Sequence, residues 1–133
     1  MTIDPQDFPF PLTPAFIDIL ENELAKSELP AGIGIVLNFR DPSYCAKTGG
    51  YHPVEISVSS RGRIEYITDF AYVGSGPFTE LVKEIDFDID LGLFQHFGRE
   101  FPLHEGRELF ELWMANFVSY YRAEVYTVDA SES

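Results

Sequence analysis

The sequence predicts an α+β fold built on an antiparallel sheet. Three observations lead there. Apolar residues recur at helical spacing near both ends of the chain, from Thr13 onward and again from about 103 to 122. Between them, four runs alternate apolar and polar residues with the period of a strand. The strand-like runs form one block and do not interleave with helices, so neighbouring strands pair antiparallel.

Composition bounds the rest. The 133 residues suit one domain, 1–133, with a core of its own. Aromatics at 15% exclude a disordered acidic tail. A net charge of −13 argues against nucleic acid and anionic membranes as partners, since both are polyanions. No run of about 18 apolar residues exists to span a membrane. Met1-Thr2-Ile3-Asp4-Pro5 lacks the basic and apolar regions of a signal peptide, and one cysteine, Cys45, precludes an internal disulfide. A reducing cytoplasm is the expected compartment.

Residues 1–12 read as an extended arm, because Pro5, Pro9 and Pro11 disfavour helix and Phe8 and Phe10 need something to pack on. Thr13-Pro14 is an N-cap followed by a first-turn proline. Phe16, Leu20 and Leu24, with Ile17 beside them, then give a helix that stops before Pro30 and Gly32; Glu21, Glu23 and Lys26 fall off its apolar stripe. Ile33, Ile35, Leu37 and Phe39 mark a first strand, and a loop over 40–51 follows. Val54, Ile56 and Val58 mark a second strand, Ser60-Arg61-Gly62 a tight turn, and Ile64, Tyr66, Phe70 and Tyr72 a third strand facing by even numbers. After the break at 74–77, Leu81, Ile85, Phe87, Ile89 and Leu91 face one way and Glu80, Glu84, Asp86, Asp88 and Asp90 the other. Residues 93–97 fit a short return strand. The second helix, 103–122, carries two adjacent apolar stripes, too wide for one sheet face. It is therefore buried on two sides, within the chain or against another subunit. Residues 123–128 fit a last strand and 129–133 a frayed tail.

Two constellations carry possible chemistry. The first is the row Glu84, Asp86, Asp88 and Asp90. As a calcium loop counted from Asp86 it fails, because positions six and twelve are Leu91 and Phe97 instead of Gly and Glu. On a strand it makes a solvated acidic face, suited to a basic protein partner. The second is the loop-to-strand junction, where His52 has the titration range of a general base and Asp41 or Asp69 are candidates to orient it, with Arg40 and Tyr51 nearby. His96 and His104 lack metal-ligand spacing. No phosphate loop or nucleophile elbow is present, so no cofactor is expected.

The segments Asn38-Phe39-Arg40-Asp41-Pro42-Ser43-Tyr44, Gly49-Gly50-Tyr51-His52-Pro53-Val54-Glu55-Ile56 and Tyr66-Ile67-Thr68-Asp69-Phe70, with Leu81–Asp86 and Asn116-Phe117, resemble a bacterial family known as domain of unknown function 2787. The resemblance runs from Pro11 to Val128 and lends no catalytic residues. In shape that family is similar to the mitochondrial acidic matrix proteins, or receptors for the globular heads of C1q. The likeness implies a twisted antiparallel sheet flanked by an N-terminal and a C-terminal helix, ring-like oligomers and many binding partners. The leading expectation is thus an acidic, non-enzymatic, homo-oligomeric protein-binding domain, using the second helix between subunits and the acidic row toward a basic partner. The alternative is a small-molecule binder or small enzyme of cone-like fold, with a pocket at Arg40, Asp41, Tyr51, His52 and Asp69.

Overall fold

The computed structural model describes residues 1–133. The chain runs α1 (Pro14–Lys26), β1 (Ile35–Arg40), β2 (Val54–Val58), β3 (Ile64–Val73), β4 (Glu80–Asp88), β5 (Leu93–His96), β6 (Arg99–Pro102), α2 (Arg107–Arg122) and β7 (Thr127–Glu132). The seven strands form one sheet in the order β6-β5-β4-β3-β2-β1-β7, antiparallel throughout. The fold is α+β, with the two helices at the two ends of the sequence, as the pattern predicts.

Both helices pack on one sheet face. Phe39 of β1 and Phe87 of β4 meet Phe117 and Phe110 of α2 edge-on, with ring centroids 4.9 and 5.2 Å apart. Phe16 of α1 reaches Phe110, Trp113 and Phe117 from the other side. The arm adds Phe8 and Phe10 against Phe110. The broad stripe of α2 is therefore covered within the chain, leaving Leu112 exposed. The arm is also clamped to the sheet: Asp4 N–H donates to Gly62 O. Gly62 sits at φ +83°, and a Cβ there would meet Thr2 O at 1.9 Å. Only glycine turns the β2–β3 hairpin beneath the arm.

Several elements depart from the sequence reading, each for a local reason. The first strand starts at Ile35, not Ile33. Glu23 is buried on α1, where it accepts hydrogen bonds from Tyr121 and Lys26. Residues 103–106 form a 3-10 turn before α2 begins at Arg107. The return strand continues through a two-residue turn at Phe97-Gly98, φ +49° and +80°, into the unforeseen β6. The tail over 129–133 is not frayed. Asp129, Ala130, Ser131 and Glu132 pair with Asn38, Leu37, Val36 and Ile35, satisfying the free edge of β1.

Two bulges matter most. On β3, Glu65 is an extra residue, since Ser57 pairs with Tyr66 and Val58 with Ile64. Facing therefore inverts after Ile64. Ile67, Asp69 and Ala71 turn to the helix side, while Tyr66, Thr68 and Tyr72 turn away. The even-numbered face expected for this strand does not hold. On β4, Glu84 is extra, since Asp69 pairs with Ile85 and Phe70 with Lys83. Leu81 consequently pairs with Tyr72 on the outer face and is exposed, while Phe87 remains buried.

Candidate functional site

The bulges assemble a site on the helix side. Asp69 faces α2, where Trp113 Nε1–H donates to its Oδ2 at 3.0 Å. His52, just ahead of β2, places Nδ1 3.0 Å from Asp69 Oδ1 and 2.7 Å from Glu84 Oε2. Tyr44 packs beside the imidazole, centroids 5.3 Å apart, and its own hydroxyl accepts from Tyr72 N–H. The three polar groups are half-buried, at the base of a cleft of about 230 Å³. Tyr51 and Tyr126 close one part of it; Trp113, Asn116, Phe117 and Tyr120, all from α2, line another. The hydrogen bond that the imidazolium donates to Asp69 favours the charged form and raises the His52 pKa. Partial burial opposes this, and the charges of Asp69 and Glu84 reinforce it. Burial, aided by Asp69, pushes the Tyr126 phenol up, so it stays a neutral hydroxyl.

The expected acidic row is dispersed. Glu84, carried inward by the bulge, joins His52. Asp86 is buried on the outer face, accepting from Thr68 Oγ1 at 2.7 Å. Asp88 accepts from Leu91 N–H, and Asp90 pairs with Arg63. Only Glu84 of the four is offered to the cleft. Of the expected pocket, Tyr51, His52 and Asp69 do come together; Arg40 and Asp41 lie outside it. Asp41 instead fixes the loop. Its carboxylate accepts from Ser43 N–H and Oγ–H and from Tyr51 N–H, and the Ser43 hydroxyl leads in holding its pKa below the ordinary value. Cys45 stays in the same loop, its thiol pKa lowered by Thr48. The sequence pattern assigns the α2 lining to core or subunit interface. Its signal was Asn116, a polar residue between Trp113 and Phe117 on the same helical stripe.

The sequence model of the family described as "Protein of unknown function (DUF2787)" matches residues 14–131. The chain belongs to the DUF2787 family. Two solved structures from Vibrio cholerae are similar to this DUF2787 chain. Hypothetical protein VC0508, from the VSP-II pathogenicity island, is 34% identical; the match covers 93% of this chain and 96% of that one, with a TM-score of 0.80. Conserved hypothetical protein VC1805, from pathogenicity island VPI-2, is 39% identical over 93% and 97%, with a TM-score of 0.79. The latter is described as sharing structural homology with the human P32 protein, in line with the C1q-receptor likeness read from the sequence. No curated protein matches the DUF2787 chain.

Proposed function

We propose that this domain binds a small cation in the cleft between the loop over 41–53 and α2. One observation carries the reading. Two strands bulge so that Asp69 and Glu84 converge on a single imidazole, in a cleft that no Lys or Arg lines. With His52 protonated, the group still carries one net negative charge. Desolvated charge seeks a partner, and aromatic walls complement positive charge through their ring faces. The net charge of −13 also draws cations toward the surface. At about 230 Å³ the cleft is smaller than the sites that take drug-sized molecules. Its ligand is accordingly a metal ion or a compact ammonium compound.

Trp113 is the only tryptophan and lies in the cleft, so its fluorescence reports binding directly. Titration with divalent metal ions and with small primary and quaternary amines is expected to give a saturable change for one class. Glu84→Gln and Asp69→Asn are each expected to weaken the binding that produces it at least tenfold. No response to any of these cations overturns the reading.

A second reading, an oligomeric protein-binding domain, draws on the P32 likeness of a relative and on an exposed apolar hairpin end: Phe78 is 83% exposed beside the outward pair Tyr72–Leu81. Sedimentation velocity tests it. A concentration-dependent assembly that Phe78→Asp dissolves supports this reading, and a monomer at all concentrations removes it.

A further inference from the structure

We infer that the cation is a divalent first-row transition metal, held by His52 Nδ1, Asp69 Oδ1 and Glu84 Oε2. This rests on the cation-binding reading and deepens it.

Three arguments separate a metal from an organic cation. The first is spacing. Metal–nitrogen and metal–oxygen bonds near 2.0–2.2 Å put adjacent donor atoms roughly 3 Å apart. Nδ1 already stands 3.0 and 2.7 Å from the two carboxylate oxygens, and all three donors lie within 4.8 Å of one another. A metal replaces the Nδ1 proton with little movement of the ligands. The second is charge. A dication with neutral imidazole balances two carboxylates, whereas an imidazolium leaves one of them uncompensated. The third is support. Asp69 Oδ2 is engaged by Trp113 Nε1–H, which leaves Oδ1 turned to His52. Hydrogen bonding of a ligating carboxylate by its surroundings is the usual companion of a metal site.

The donor set names the class of metal. One imidazole and two carboxylates suit manganese, iron, cobalt or zinc. Calcium and magnesium are hard cations that favour all-oxygen ligand sets, so a site with an imidazole nitrogen among its three donors disfavours both. The cleft beside these three donors would leave room for water or a small ligand on the ion.

The test uses chelator-stripped full chain and Co²⁺. Calorimetry is expected to show one Co²⁺ per chain, with quenching of Trp113 fluorescence and visible absorption from the ion in a nitrogen–oxygen environment. Glu84→Gln and Asp69→Asn are expected to weaken binding at least tenfold each. Asp88→Asn, an acid outside the cleft, is expected to leave it unchanged. His52→Gln provides a further ligand variant, and circular dichroism confirms that each variant is folded. Co²⁺ binding that survives all three ligand variants places the ion elsewhere and overturns the inference. Saturable quenching by a small amine with none by Co²⁺ also overturns it, while sparing the cation-binding reading. Silence toward both overturns both.

Discussion

Glu84 and Asp86 are two residues apart on one strand and meet opposite surroundings. Asp86 lies on the outer face, 5% exposed, closed by the Thr68 hydroxyl. Glu84 lies on the helix face, reaches His52 and borders a cleft. In a regular strand the two would share a face. The bulge separates them, and with them a carboxylate that stabilises the sheet from one offered to a ligand. Acidic residues of identical pattern thus acquire different roles through one extra residue in the ladder.

The strongest way to break this comparison is to test facing. Phe87→Ala opens a cavity among Phe94, Phe110 and Trp113 and is expected to cost about 3–5 kcal/mol. Leu81→Ala, beyond the bulge, is expected to change stability by no more than about 0.5 kcal/mol. Denaturant unfolding measures both, and similar costs would mean that the strand is regular. Next, Asp86→Ala leaves the Thr68 hydroxyl, 1% exposed, without its acceptor. The expected loss is about 1–3 kcal/mol, with cation binding intact. Glu84→Gln should do the reverse: binding falls at least tenfold while the unfolding midpoint barely moves.

The smallest effect concerns Asp41, which holds the loop over the cleft. Its folded pKa is lowered, so its stabilising contribution is present above the ordinary aspartate value and is lost as pH falls through the lowered one. The amide signals of Ser43 and Tyr51 in an NMR titration should move with a midpoint below that ordinary value, and Ser43→Ala should raise it. An ordinary midpoint in the unaltered protein would detach Asp41 from the loop.

Much of the fold was legible because helical and strand periods are read directly from apolar spacing. Thr13-Pro14 marked the start of α1, and Ile35, Leu37 and Phe39 marked the buried face of β1. The misreadings share a cause. Glu65 and Glu84 are ordinary acids in ordinary alternation, and nothing local marks them as bulged; pairing with the neighbouring strand decides it. Phe97 adopts a positive φ that its side chain disfavours, which hid the turn into β6. Strand β7 is a short polar segment held by the backbone edge of β1, a partner about ninety residues away. The site followed the same division. Tyr51, His52 and Asp69 were visible as a cluster near one loop, Glu84 was assigned to the wrong face, and Arg40 and Asp41 were included only for nearness in sequence.

The most direct measurement is a crystal structure of the chain grown with Mn²⁺, with anomalous diffraction recorded to locate the ion. One strong peak is expected about 2.0–2.3 Å from His52 Nδ1, Asp69 Oδ1 and Glu84 Oε2. A continuous β3–β4 ladder with Glu84 turned to the outer face, and manganese absent from the cleft, would contradict it.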